Sequence, residues 1–191
     1  MTLTDAQIDR YSRQIIVPHI GGRGQERLLG AKMLLAGDAR DIEAPLAYLV
    51  GAGVGTIQVR LPDLAGFTET RDLNPDVTVT LADESRGRVD LALVIVGSTA
   101  AKRIADEIAN DHDIAALVVA RLDTPGKIFV MPDPQKPRSD DSKFGSRSEA
   151  ADFIAMLATA EAFKLVAGYA ENPLRATIEF DGYATTARVN R

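Results

Sequence analysis

The sequence contains no cysteine and no tryptophan, only two histidines, and aromatic residues make up just 5% of it. Without cysteine there is no disulfide, no thiol nucleophile and no zinc site built on paired CxxC motifs. His19 and His112 lie far apart in the chain and read as two unrelated surface or loop histidines rather than a metal frame. No apolar run approaches the roughly 20 residues of a membrane span. The opening stretch MTLTDAQIDRYSRQ is polar and lacks the apolar core of a signal peptide. Positive charge is not in surplus either. The net charge is −5, and the basic residues are scattered among acids, so no basic stripe attracts nucleic acid or an anionic membrane surface. These absences lead to the expectation of a soluble cytoplasmic protein that engages neither nucleic acid nor membrane.

What is present suits one domain over residues 1–191, with 46% hydrophobic residues to build a single sizeable core. Thr4 and Gln7 have the spacing of a capping box, and Ile8, Tyr11, Ile15 and Ile16 recur at helical intervals, predicting a helix over 4–17. Pro18 and the glycines at 21, 22 and 24 predict a break, with a short helix at 25–29. Residues 32–37 form a short apolar run ending at Gly37, as in a strand buried on both faces of a parallel sheet. A helix at 42–51 and an alternating strand at 56–61 complete a strand–helix–strand unit of about 30 residues, the size of one crossover.

Further strands are expected at 77–81, 90–96, 115–120 and 127–131, with a helix at 99–111. The run at 90–96 is the most apolar in the chain and should be central. Residues 132–148 are rich in proline and charge, which predicts a solvated, flexible loop; a basic partner-binding loop is the other reading. A long helix at 149–168 and a β-hairpin from 176–180 and 185–189 close the pattern. The fold class expected is α/β: a Rossmann-like, doubly wound, mostly parallel sheet with N-terminal helices and a C-terminal β-hairpin.

Several segments, in the same order, resemble the ThiF/MoeB/HesA family, whose fold is that of E1-type enzymes that activate ubiquitin-like proteins. Arg10-Tyr11-Ser12-Arg13-Gln14 resembles its RYxRQ opening, and Gly24-Gln25 with Leu29, Ala31 and the 32–37 strand resembles its GQ…L…A-x-VLVVG entry. Tyr48-Leu49 through Ala52-Gly53-Val54-Gly55 resembles YLA-x-AGVG, and Asn74-Pro75 the NP before its third strand. Ala160 through Leu165 with Gly168 resembles its EAxKLLxG helix, and the last hairpin its terminal sheet. The matches span the whole chain, although the chain is shorter than a full family member.

That resemblance implies ATP-dependent adenylation of the C-terminal carboxylate of a ubiquitin-like carrier, a glycine-rich loop for the phosphates and acids for ribose and magnesium. It also implies where this chain departs. The GxGGxG loop aligns with Gly37-Asp38-Ala39-Arg40-Asp41-Ile42, so only Gly37 survives. Side chains at Ala39, Arg40 and Ile42 should crowd the phosphate approach, and Asp38 and Asp41 should repel a polyanion. Two like unit charges about 4 Å apart cost on the order of 1–4 kcal/mol at moderate dielectric. Leu61 stands where the ribose acid belongs, leaving Asp63 as the second acid, and the phosphate-binding segment expected before Arg71 is missing. Gly97 stands where the magnesium aspartate belongs, and the zinc-binding cysteines are absent.

Two readings follow. In one, the chain is a pseudoenzyme, scaffold or non-catalytic dimer partner that takes no cofactor, with Arg13 acting in trans in a partner's site or else pairing with a local acid. In the other, it is an adenylyltransferase or nucleotide binder with an altered pocket, Gly37, Arg40 and Asp63 meeting ATP with magnesium. The resemblance implies a homodimer or heterodimer with an E1-like protein under both.

Overall fold

The computed structural model describes residues 2–64, 73–82, 87–131, 144–169, 176–180 and 185–189; at 176 and 185–189 only the backbone is described. The greater part of the 132–148 segment, and the hairpin turn at Asp181-Gly182, lie outside the described residues.

The elements run in the order α1 (Asp5–Ile15), α2 (Gly21–Gly30), β1 (Lys32–Gly37), α3 (Ala39–Ala52), β2 (Thr56–Arg60), β3 (Thr78–Leu81), β4 (Leu91–Val96), α4 (Thr99–Ala109), β5 (Leu117–Arg121), β6 (Gly126–Met131), α5 (Ala151–Ala167), β7 (Ala176–Phe180) and β8 (Thr185–Val189). All eight strands join one sheet in the order β3-β2-β1-β4-β5-β6-β7-β8. The first five in that order are parallel, and β6, β7 and β8 add an antiparallel wing. This is the expected Rossmann-like α/β class with its C-terminal hairpin.

Period-two side-chain alternation divides the core into two layers. Met33, Leu35, Leu91, Leu93 and Ile95 point to the face covered by α2, α3 and α5. Leu34, Ala36, Ala92, Val94 and Val96 point to the face covered by α4. Every residue of β4 is buried, as its unbroken apolar run requires of a strand with helices on both sides. Each large side chain so removed from water contributes about 1.5–3 kcal/mol.

Helix starts differ most from the sequence reading at α2 and α3. The capping box at Thr4 and Gln7 forms as expected, but α2 begins at Gly21 and takes its glycines inside the helix. Gly24 is there because helices meet closely: a Cβ would lie 3.0 Å from Ile20 and 3.3 Å from the carbonyl of Ala167 in α5. Helix α3 begins three residues early, at Ala39, directly after Asp38.

Candidate functional site

In an open α/β sheet, ligands bind outside the carboxyl ends of the parallel strands, where the strand order reverses. Here that point lies between β1, whose other neighbour is β2, and β4. The crevice is flanked by Gly37 at the end of β1 and Gly97 just past β4.

Gly37 adopts φ 151°, and a Cβ on it would lie 2.5 Å from the carbonyl oxygen of Ile95 and 2.9 Å from a methyl of Ile42. The space beside this glycine is filled by core, since Ile42 is fully buried. Ala39 and Arg40 start α3, and Arg40 is exposed in a groove between α3 and α5 that it lines with Glu43, Ala44 and Asp152. Leu61 packs on the core after β2, and Asp63 is exposed two residues further on.

The carboxylates of this edge each have an internal partner. Asp38 accepts a hydrogen bond from the Ser98 hydroxyl at 3.0 Å. Asp41, in the first turn of α3, is buried with 4% of its side chain exposed and pairs with Arg147 at 2.7 Å. Arg147 also reaches Asp152 of α5 at 3.3 Å. Burial raises the Asp41 carboxyl above its usual range, while the Arg147 guanidinium pulls it back down. At the end of β5, Arg121 and Asp123 form a two-pronged buried pair at 3.1 and 2.5 Å. Asp123 also accepts from the Gly145 amide at 2.9 Å.

Gly97 is the hinge of this arrangement. A Cβ there would stand 1.6 Å from Asp41 Oδ2 and 3.3 Å from Arg147 Nη1. The Asp41 carboxylate therefore occupies the volume that any side chain at 97 would need. Repulsion of a polyanion by Asp41, expected from the sequence, is largely cancelled by Arg147. The obstruction is steric and already satisfied. These residues do not fit a nucleotide with its magnesium: the cradle beside Gly37 is filled, position 97 offers no carboxylate, and Asp41 is engaged by an arginine. Among the described residues no group of three or more His, Asp or Glu side chains is placed to hold a metal.

Arg13 lies elsewhere. Helix α1 is fixed to the opposite end of the sheet by the buried Tyr11, whose ring comes within 2.6 Å of a Cβ on Gly53, a residue at φ 83° that ends α3. The Tyr11 hydroxyl accepts from Asn74 Nδ2 at 2.9 Å and donates to Asp76 Oδ2 at 3.0 Å. Asn74 also donates to the Val50 carbonyl at 2.8 Å, and Arg10 pairs with Asp76. Burial pushes the Tyr11 hydroxyl above its ordinary range. Gly53 and Asn74 sit where β2 and β3 begin, so the five-residue β2, about 16 Å long, separates this latch from the crevice. Arg13 is exposed and makes no ion pair among the described residues. Gly37, Arg40 and Asp63 share the carboxyl edge; Arg13 does not join them.

Sequence reasoning missed Arg147, Arg121 and Asp123. Arg147 fell in the stretch read as solvated loop, yet residues 144–148 are tied to the edge. The one usable signal was Gly97 itself, a glycine directly after a fully apolar strand, which marks a close approach by another group.

Fold and edge together define an open α/β protein with its switch-point crevice filled from within. Over an alignment of 233 positions the chain is 28% identical to the sulfur carrier protein ThiS adenylyltransferase of Escherichia coli, covering 97% of this chain and 92% of that protein. It is 40% identical over 84 residues to the sulfur carrier protein adenylyltransferase of Thermus thermophilus, a match covering 44% of this chain and 30% of that one. Most of the other curated relatives are likewise matched over a small part of their length, 22% for the probable adenylyltransferase/sulfurtransferase MoeZ of Mycobacterium tuberculosis. No family model matches the chain. Among solved structures, E. coli MccB superposes with TM-score 0.67 at 16% identity, covering 95% of this chain and 69% of that one. PaaA superposes with TM-score 0.64 at 18% identity, over 98% and 75%. The chain is thus similar in sequence to adenylyltransferases of the ThiF/MoeB/HesA kind and shares the E1-like fold of MccB.

Proposed function

We propose that this chain is a non-catalytic E1-like protein, a scaffold or the inactive half of a dimer, which binds no ATP and works in the cytoplasm. The observation that carries the reading is the Asp41–Arg147 pair in the volume beside Gly97. The segments that resemble the family most closely support it, because their work here is packing: Tyr11 and Asn74 fasten α1, Gly53 ends α3, and Gln25 donates to the Ala52 carbonyl. Arg13, exposed and far from its own crevice, acts in this reading only in the site of a second E1-like chain. Calorimetry with Mg-ATP is expected to show no binding; micromolar affinity would sink the proposal.

The relatives' names favour a second reading, adenylation of a ubiquitin-like sulfur carrier, since the likeness to the ThiS adenylyltransferase runs through nearly the whole chain. A structure of MccB with ATP has the same fold. In this reading Gly37, Arg40 and Asp63 would hold ATP with magnesium at the carboxyl edge, after displacement of Arg147. ATP–pyrophosphate exchange in the presence of a carrier from the same organism tests it: carrier-dependent exchange establishes the enzyme, and its absence with every such carrier rejects it.

A further inference from the structure

Residues 144–148 pass over the carboxyl edge from one face of the sheet to the other. Phe144 packs against the layer beneath α4, whereas α5, which the segment enters, belongs to the opposite layer. Between these anchors the segment is fastened at successive points. The Gly145 amide donates to Asp123 Oδ2 at 2.9 Å, the Thr124 amide to the Ser146 carbonyl at 3.0 Å, and the Ser148 amide to the Leu122 carbonyl at 2.7 Å. Asp123 and Arg147 face each other in an isolated antiparallel bridge. From there the Arg147 side chain turns down into the switch-point crevice, onto Asp41 and beside Gly97.

We propose that residues 144–148 are a strap that holds this crevice shut, with Arg147 as its pin. The inference rests on reading the edge as a closed nucleotide site and adds how it is closed. The strap's hold is polar. Apart from half-buried Phe144 it buries no large apolar side chain, so its opening does not require the core to open. Contacts of this kind lie at the low end of the local-stability range, well below global unfolding. Beside Gly37 the crevice is filled by Ile42 and Ile95, so the volume the strap controls is that beside Gly97. Withdrawal of Arg147 removes the counter-charge that holds the Asp41 carboxylate beside Gly97. The charged groups facing the Asp41 carboxylate are Arg147 from the strap, and Asp38 and Arg40 from its own end of α3; Arg147 forms the ion pair with it.

Amide hydrogen exchange on the intact chain tests the strap. In Arg147→Ala, the amides of Thr124, Gly145 and Ser148 are expected to exchange roughly tenfold faster or more, the effect of losing one charge-assisted contact. The amides of β1 and β4 should keep their wild-type rates. Asp41→Asn removes the same charge pair from the other side and should quicken the same three amides, which keeps the test available if the arginine variant folds poorly. Unchanged rates at those amides, or rates that rise in step with β1 and β4, would overturn the strap. Mg-ATP binding by the wild-type chain would instead overturn the closed-site reading, so the two failures are told apart.

Discussion

Substituting Gly97 with alanine adds one methyl group, and the structure says where it must go: 1.6 Å from Asp41 Oδ2 and 2.8 Å from its Cγ. The carboxylate is the end of a flexible side chain, so the backbone need not move. It cannot move without loss, however, because it is buried and held by Arg147 at 2.7 Å. Breaking a buried pair from one side costs about 3–5 kcal/mol. With 28% of the Arg147 side chain exposed, solvent recovers part of that, leaving about 2 kcal/mol. For a chain of this size each kcal/mol lowers Tm by about 2–4 °C, so a fall of about 4–8 °C is expected in Gly97→Ala. A double-mutant cycle identifies the cause. In Asp41→Ala the obstructing carboxylate is gone, and the alanine at 97 should then cost less than about 0.5 kcal/mol, a coupling of about 2 kcal/mol measured by urea denaturation. An equal cost of the alanine in both backgrounds would refute the claim that Asp41 fills the space beside Gly97.

Three further outcomes follow. Tyr11→Phe removes the hydroxyl that joins Asn74 and Asp76 and leaves a buried amide short of a partner; denaturant midpoints should report a loss of about 1–2 kcal/mol. Gly53→Ala meets both a left-handed backbone and the Tyr11 ring at 2.6 Å, so a loss above about 2 kcal/mol is expected, relieved in part when Tyr11 is also truncated to alanine. The third concerns pH. Burial raises the Asp41 carboxyl above its ordinary 3.8, so the folded chain holds that proton more tightly than the unfolded one. The cost of burying the charge is fully present above the raised value and disappears as pH falls toward 3.8. Wild type should therefore gain stability relative to Asp41→Asn as pH is lowered through that window; a difference independent of pH contradicts the burial argument.

Local sequence carried most of the fold. The apolar runs at 32–37 and 90–96 and the alternating run at 56–61 announced strands because β1, β2 and β4 are stacked between or against helices, and burial dictates composition there. Glycine misled at α2, where Gly21, Gly22 and Gly24 read as breakers. Tertiary contact explains Gly24: the helix lies too close to Ile20 and the end of α5 for a side chain. At the site, the sequence pointed to Ala39, Arg40 and Ile42 after Gly37, and they start α3, with Ile42 against Gly37. It misjudged the electrostatics, treating Asp41 as a bare charge. Its partner Arg147 is more than a hundred residues away, in a stretch whose composition resembles solvent-exposed loop. No periodicity links two residues that only the sheet topology brings together.

The mutual exclusion of Asp41 and a side chain at 97 also bears on reversibility. An acid introduced at 97 alone collides with Asp41. Removing Asp41 alone strands Arg147, and removing Arg147 alone leaves a buried carboxylate unpaired. Each single step toward an open, acid-lined edge thus passes through a less stable chain, and only coordinated changes avoid the penalty. Once such a tie is in place, mutation one residue at a time works against undoing it, and the closed edge behaves as a ratchet in sequence space.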